Sequence, residues 1–392
     1  MTNVTEFNRR PKLCYVVSSP MTAIAFLNGH IGHLAPDFDI TVVCNFDGSE
    51  SRILESARLT NIRISRPISP FLDVLAIWKL HRFLRQESFD IVHSVSPKAG
   101  LITAVSGWMA RVPIRIHWFT GQVWVSSTGL KRALLKNLDR LIYKLDTKVL
   151  VDSPSQRDFL IDQEVITASR SRVLGSGSIA GVDFDRFRPN KAAPMFLRNQ
   201  LGISNPDAKI ILYLGRFQKD KGLEVLIKAF AQHISSPDAY LLLVGPDEES
   251  YSDRFQEFLG ERYTNFRYIS STESPEFFMA GSDIFCLPSF REGFGLTLIE
   301  AASCGLPVIS TSIYGVKDAV DEGRSGLLTK PGDVEELAEA LQVLLADHRM
   351  RAEMGSYGRE KVKRLWSRAL LVNALEHFYD EELEAMFSWN GK

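Results

Sequence analysis

Glu292 and Glu300 flank a glycine-rich turn in the stretch P-S-F-R-E-G-F-G-L-T-L-I-E-A-A-S-C-G-L-P, residues 288–307. The apolar run 284–287 before it predicts a buried strand. Gly293 and Gly295 permit a sharp turn and a close backbone approach to a ligand. Residues 296–303 are apolar or small and predict a packed helix, which Gly305 and Pro307 stop. A helix that opens after a glycine turn presents free N–H groups and a positive dipole end, a combination suited to phosphate. Gly293, Phe294, Gly295 and Leu296 would form that cradle. The carboxylates suit a different ligand group. They accept hydrogen bonds, so they match hydroxyls, as on a sugar or a ribose. A plain surface loop before a core helix carries the same letters, and these residues alone leave that reading open.

A second cluster precedes the first. The apolar run 210–214 predicts a strand, followed by G-R-F-Q-K-D-K-G at 215–222. Arg216 can hold two oxygens as a fork, and Lys221 acts as a point charge. Two solvated cations at a strand–helix turn would read the same. A third candidate is His117, in I-H-W-F-T-G-Q-V-W at 116–124. A neutral imidazole can bond a sugar hydroxyl; a satisfied histidine at a strand end is the plainer reading of the residue alone. Lys98, in S-P-K-A-G at 96–100, reads as an exposed lysine at a helix start.

The frame that must position these residues shows in the alternation of short apolar runs with helical patterns. Strands are expected at 13–18, 40–44, 91–93, 114–117 and 149–151, with helices at about 23–34, 71–85, 100–110 and 130–145. Such alternation predicts an α/β protein with a parallel, doubly wound sheet. Ligands of such sheets bind beyond the carboxyl ends of the strands. The length of 392 residues suits two domains, and an apolar fraction of 45% is ordinary for a globular protein.

Formal net charge is -1, unevenly divided. Residues 1–190 hold 24 Lys+Arg against 17 Asp+Glu, or +7; the remainder holds 22 against 30, or -8. A basic first half suggests an anionic partner, such as a membrane surface or a phosphorylated acceptor, or else chance variation between domains. No nucleic-acid partner is expected. Leu130, Leu134, Leu138, Leu141 and Leu145 share one helical face, with Arg132, Lys136, Arg140 and Lys144 opposite. The leucines are expected in the core, leaving the basic face to attract anionic lipid.

Cys14, Cys44, Cys286 and Cys304 form no C-x-x-C pair and read as core residues of a reducing compartment. Residues 13–36 lack charge, but Pro20, Asn28, Gly29, His30 and Gly32 interrupt them, which argues against a membrane span. The N-terminus M-T-N-V-T-E-F-N-R-R lacks the apolar core of a signal peptide. A cytoplasmic location is expected, peripheral at the inner face of the cell membrane.

The motifs together resemble the retaining GT-B glycosyltransferases of family 4. E-G-F-G-L-x-x-x-E at 292–300 resembles the family's E-x7-E, and G-R-x4-K-G at 215–222 stands 76 residues before it, counted from Arg216 to Glu292. G-V-D-x-x-x-F-x-P at 181–189 resembles the family's crossing between domains, so Asp183-Phe184-Asp185 is assigned no metal. Gly245-Pro246 stands where the family often holds the base or ribose, and 269–276 resembles the segment bordering the base. By resemblance Glu292 meets the donor sugar, Glu300 the ribose, Arg216 and Lys221 the diphosphate, and His117 lies over the sugar. The first-strand loop 18–23 departs from the family pattern, lacking its Gly-Gly pair. S-P-x-T, F-L-x-G-H-I and F-T-G-Q-V-W resemble a subgroup of bacterial transferases acting on polyprenyl-diphosphate sugars.

The resemblance implies two facing Rossmann-like domains with a deep cleft between them: 1–188 for the acceptor, 189–364 for the nucleotide-sugar, and a helix in 365–392 that crosses back. It implies a retaining hexosyl transfer from a UDP-sugar, with galactose or N-acetylhexosamine as the sugar, to a lipid-linked saccharide of a bacterial surface polysaccharide. No cofactor and no metal are implied. A sugar-nucleotide epimerase, a phosphorylase or a non-catalytic scaffold of the same fold are the other readings. The first should lack the paired motifs, the second should carry a pyridoxal-phosphate lysine context, and the third should have lost a charged site residue.

Overall fold

The computed structural model describes residues 9–46, 56–65 and 69–390. Residues 1–8, on which the absence of a signal peptide was read, lie outside them. The chain forms two compact units: 1–180 with 368–392, and 181–367. The first boundary falls at 180/181 rather than 188/189. Val182 donates its N–H to the Trp366 carbonyl (2.8 Å) and bridges to Ser367, which ties the linker into the second unit.

In the first unit, β1 (Lys12–Val16) leads through α1 (Pro20–Thr22), a π-helical stretch Ala23–Leu27 and α2 (Asn28–Leu34) to β2 (Asp39–Cys44) and β3 (Arg58–Asn61). Then come α3 (Pro70–Glu87), β4 (Ile91–Val95), α4 (Pro97–Ala110), β5 (Ile114–Phe119), α5 (Gly129–Leu145), β6 (Lys148–Val151), α6 (Pro154–Asp162) and β7 (Ser171–Arg172). Among the described residues its seven strands are all parallel, in the order β3-β2-β1-β4-β5-β6-β7. The order reverses between β1 and β4, where Ser18 Oγ lies 3.1 Å from Ser96 Oγ. Residues 20–22, expected in a loop, already form α1, because Pro20 presets the first helical turn.

The second unit carries α7 (Ala193–Gln200), β8 (Lys209–Leu214), α8 (Leu223–His233), β9 (Ala239–Val244), α9 (Phe255–Leu259), β10 (Phe266–Ile269), α10 (Pro275–Gly281) and β11 (Ile284–Leu287). It continues with α11 (Leu296–Ser303), β12 (Val308–Thr311), α12 (Val316–Ala319), β13 (Gly326–Thr329), α13 (Val334–Ala346) and α14 (His348–Leu365). Its six parallel strands run β10-β9-β8-β11-β12-β13, and here the order reverses between β8 and β11. Helices cover both faces of such a sheet, so a central strand is apolar throughout; I-I-L-Y in β8 and L-L-L-V in β9 are all buried.

The last helix, α15 (Arg368–Asn390), belongs to the first unit. Its Tyr379 hydroxyl lies 2.9 Å from the Tyr15 hydroxyl on β1 and 2.6 Å from His93 Nδ1 on β4. Lys148–Glu382 (2.7 Å) and Arg172–Glu381 are ion pairs between the helix and the sheet. The Trp118 ring stacks with those of His93 and His30, centroids 5.7 and 5.9 Å apart. Burial holds His30 down to about 4 and His93 well below its ordinary value, so both imidazoles are neutral.

The four cysteines are buried free thiols, and burial raises those of Cys14 and Cys286. Among the described residues no helix is long and apolar enough to cross a membrane. Asp183 caps its own turn, Oδ1 accepting N–H bonds from Asp185 (3.0 Å) and Arg186 (3.3 Å).

The neutral histidines make stability depend on pH. In the unfolded chain they take up protons near pH 6.5, which folded His30 refuses until about pH 4. Stability is therefore complete above pH 6.5 and falls as the pH drops below it. For His30 alone the loss reaches about 2 kcal/mol at pH 5. Urea unfolding at pH 7.5 and pH 5 should show the fall, and His30→Asn should flatten it. Equal slopes for both proteins would contradict the neutral assignment.

Candidate active site

The switch point between β8 and β11 gathers the sequence candidates of the second unit. After β8 the chain passes Gly215 and Arg216, makes a 3-10 turn at Lys219–Lys221, and turns on Gly222 in the left-handed region (φ 70°). A Cβ on Gly222 would strike the Pro288 carbonyl oxygen, so only glycine lets this turn lie against the end of β11. The Phe290 N–H donates to the Asp220 carbonyl at 2.8 Å, and Arg291 pairs with the Asp220 carboxylate. These contacts clip residues 288–292 to the β8 loop.

The clip brings two candidates into direct contact. Lys221 Nζ lies 2.7 Å from Glu292 Oε1, with both side chains mostly shielded from solvent. Ser289, fully buried, donates its hydroxyl to the same carboxylate oxygen at 2.9 Å. Its own carbonyl accepts the Thr311 hydroxyl, and the Leu287 carbonyl accepts that of Ser310 (2.6 Å). Glu292 is thus aimed by a chain of hydroxyls reaching to β12.

Beyond Glu292, Gly293 packs so closely against Gly315 that a Cβ on the latter would strike the Gly293 carbonyl. Gly295 (φ 87°) is the N-cap of α11. The Leu298 N–H donates to the Gly295 carbonyl at 2.9 Å, and the N–H groups of Leu296 and Thr297 have no acceptor within the helix. Phe294 turns its ring into the core, edge-on to Trp366 at 5.3 Å, so it serves the turn as a structural anchor. Leu296 begins α11, and Glu300 lies on it, partly exposed.

Arg216 takes a partner that the motif did not include. Glu248, in the loop after β9, lies 3.3 Å from Arg216 Nη1 and accepts from Gln218 Nε2 at 2.5 Å. The Tyr213 hydroxyl donates to the Arg216 carbonyl at 2.8 Å. Gly245 (φ 144°) lies against the Gly215 carbonyl, where a Cβ would not fit. Neither Ser289 nor Glu248 was singled out in the sequence. The one signal for Glu248 is the acidic run D-E-E at 247–249, at a strand's carboxyl end.

His117 belongs to the first unit, on β5. It is 1% exposed, with Nδ1 2.9 Å from Ser94 Oγ and its ring edge-on to Phe119 at 4.5 Å. Gly100 on α4 leaves the space the ring fills. Burial depresses its pKa to about 3, so it works as a neutral hydrogen-bonding group. Lys98, expected exposed, is largely covered and pairs with Asp73 at 2.7 Å. Among the described residues no group of His, Cys, Asp and Glu is arranged for a metal ion.

The second-unit site therefore offers two cations, a helix start and an oriented carboxylate at adjacent strand ends. That set can hold an anion with a hydroxylated group beside it.

Comparison with known proteins follows the same division. Residues 33–177 match the family described as glycosyl transferase 4-like domain, and 197–361 match glycosyl transferases group 1. The chain is 29% identical over 367 residues to the capsular polysaccharide biosynthesis glycosyltransferase CapM of Staphylococcus aureus, covering 92% of this chain and 95% of that one. It is 25% identical over 351 residues to the UDP-Gal:alpha-D-GlcNAc-diphosphoundecaprenol alpha-1,3-galactosyltransferase of Escherichia coli, covering 87% and 89%. In fold it is similar to Anabaena Alr3699/HepE, solved in complex with UDP and glucose, with TM-score 0.79 and 19% identity over 95% of this chain and all of that one.

The contact between the β8 turn and Pro288 can be weighed by substitution. Gly222→Ala meets both an unfavourable φ and the carbonyl; Gly202→Ala meets only the φ (67°), with open space around it. The left-handed backbone costs about 1–2 kcal/mol at either position. Gly222→Ala should lose clearly more stability than Gly202→Ala in urea unfolding. Equal losses would mean that the approach to Pro288 is loose.

Proposed function

We propose a donor, an acceptor and a stereochemical course for this chain, which belongs to the GT-B glycosyltransferases with a family 4-like first domain and a group 1 second domain. The reaction is transfer of a hexose or N-acetylhexosamine, with retention, from a UDP-sugar to a saccharide on polyprenyl diphosphate. The observation that carries this reading is the Lys221–Glu292 contact at the switch point, 2.7 Å, beside the start of α11. A cation and an acceptor-only carboxylate held side by side fit a diphosphate joined to a sugar. The named relatives from Staphylococcus aureus and Escherichia coli support the polysaccharide setting and the lipid-linked acceptor.

In this mechanism the diphosphate lies across Lys221, Arg216 and the first N–H groups of α11. Charge grows on the leaving phosphate as the glycosidic bond breaks, and preplaced cations and dipoles stabilise it there. To reach the phosphate, Lys221 shares or exchanges its contact with Glu292, and Arg216 exchanges its contact with Glu248. Glu292, still held by Ser289, then accepts from a sugar hydroxyl. Glu300 accepts from the ribose, and the backbone around Gly245 borders the nucleoside. The leaving phosphate takes the acceptor's proton on the face where the new bond forms, which preserves the anomeric configuration. No cofactor or metal enters these steps. The protein works at the inner face of the cell membrane.

Two measurements test the reading. Across UDP-, GDP- and ADP-sugars, one UDP-hexose should bind and hydrolyse selectively. Lys221→Ala and Glu292→Ala should each lower its turnover about 10²–10³-fold. If no nucleotide-sugar binds, or if both variants match the wild type, the assignment is wrong. Ser289→Ala probes orientation separately: it should raise KM and lower kcat about tenfold, with stability near the wild type's. Unchanged kinetics would show that Glu292 needs no such support.

A further inference from the structure

We propose that the first unit docks on an anionic bilayer through apolar rows on the outer faces of α3 and α5. The inference rests on the lipid-linked acceptor proposed above and names the surface that would bring the enzyme to it.

The first two turns of α3 are apolar on the wrong side. Phe71, Val74, Leu75 and Trp78 follow the i, i+3, i+4, i+7 spacing of a buried stripe, yet Phe71 is 80% exposed, Val74 65% and Trp78 51%. The helix already has an inner face in Ala76, Leu80 and Leu84, all buried. Farther along the outer face the exposed residues become basic, with Lys79, Arg82 and Arg85. The Arg82 guanidinium lies over the Trp78 ring, 5.0 Å from its centroid.

Helix α5 departs from its expected orientation at Leu130, Leu134 and Leu141, while Leu145 packs against the core as expected. Leu130 is 90% exposed and Leu134 58%, with Leu141 on the same row. Arg132, Lys136 and Arg140 take partners on the unit's own surface instead, while Lys131 and Lys144 stay exposed. Arg132 and Lys136 lie over the Trp124 ring at 5.4 and 5.6 Å, Lys136 donates to Gln163 (3.0 Å), and Arg140 donates to the Glu164 carbonyl (3.0 Å). Asp139 is buried and accepts the Trp124 indole N–H at 2.7 Å. A polar anchor on its inner side leaves the leucines facing out.

Both helices pack against α4, on one face of the sheet. Each precedes a parallel strand and runs against the strand direction, so its first turns lie toward the carboxyl edge, where ligands of such sheets bind.

Charge selects the occupant. The outer rows carry exposed Lys79, Arg82, Arg85, Lys131 and Lys144. The acids of the two helices are accounted for: Asp73 pairs with Lys98, Glu87 with Arg58, and Asp139 is buried. Two copies meeting through this face would oppose cation to cation. Anionic headgroups would meet the cations while Phe71, Trp78, Leu130 and Leu134 enter the boundary with the acyl chains. Neither helix is apolar enough to cross a bilayer, so both would lie in its plane.

The test is flotation of the full chain with vesicles of phosphatidylcholine alone or with phosphatidylglycerol, without acceptor, alongside sedimentation velocity in lipid-free buffer. The wild type should float with the anionic vesicles, more weakly at high salt and with neutral lipid. Phe71→Ser with Trp78→Ser, and Leu130→Ser with Leu134→Ser, should each cut partitioning at least tenfold. Both pairs are exposed, so their UDP-sugar hydrolysis in solution should match the wild type's. Absence of wild-type flotation, or variants that float like it, would overturn the proposal. So would a lipid-free dimer that the variants convert to monomers, which would make a second copy the occupant. Flotation without any nucleotide-sugar turnover would leave the surface standing and remove the enzymatic reading alone.

Discussion

The fit of Gly222 against the Pro288 carbonyl sets the geometry of the second unit's site. Two loops leave adjacent strand ends where the strand order reverses, and elsewhere such loops diverge. Here they are joined by the Phe290–Asp220 backbone bond, the Arg291–Asp220 ion pair and the Lys221–Glu292 contact. Each contact needs the turn at Gly222, because a side chain there would hold the loops apart. Lys221 and Glu292 are therefore neighbours by backbone construction, with the surface attraction between two flexible side chains adding little by itself. The hydroxyl chain through Ser289, Ser310 and Thr311 extends the same ordering to β12.

The site also balances its own charge. Lys221 is held by Glu292 and Arg216 by Glu248, so neither cation is left to repel the other or to collect a random anion. A ligand that brings a diphosphate together with hydroxyls can replace both sets of contacts at once. An isolated phosphate would meet the cations and leave Glu292 beside new negative charge. Under the proposed reading, discrimination against free anions follows from the carboxylates as much as from the cations.

How much of this was legible in the sequence depends on whether a residue's type or its surroundings decides its role. Strands such as β8 and β11 were plain because burial on both faces demands unbroken apolar runs. Strands β3 and β7 were missed because R-L-T-N is a polar edge and S-R is only two residues long. Gly222, Lys221 and Glu292 were legible because their spacing within two motifs is specific. Ser289 and Glu248 were not, since serines and glutamates are common and only the fold aims these two. The orientation of α5 was misread for a related reason. Periodicity identifies two faces of a helix and leaves their assignment to tertiary contacts. Asp139 and Trp124, both buried, outweighed the leucine row. His117, expected at a strand end, lies inside β5, which runs on to Phe119, and Ser94 and Gly100 show how the interior accommodates it.

Helix α15 has a consequence for how the protein is made. Tyr379 meets Tyr15 and His93 inside the first unit, although 364 residues separate it from Tyr15 along the chain. The whole second unit is spelled out between them. On a ribosome the first sheet must therefore wait, with one side of its core unfinished, while residues 181–367 are synthesised. The second unit has all of its own sequence in hand before α15 emerges. The unit synthesised first is thus sealed after the second, and a chain stopped before α15 would carry a complete second unit and an open first one.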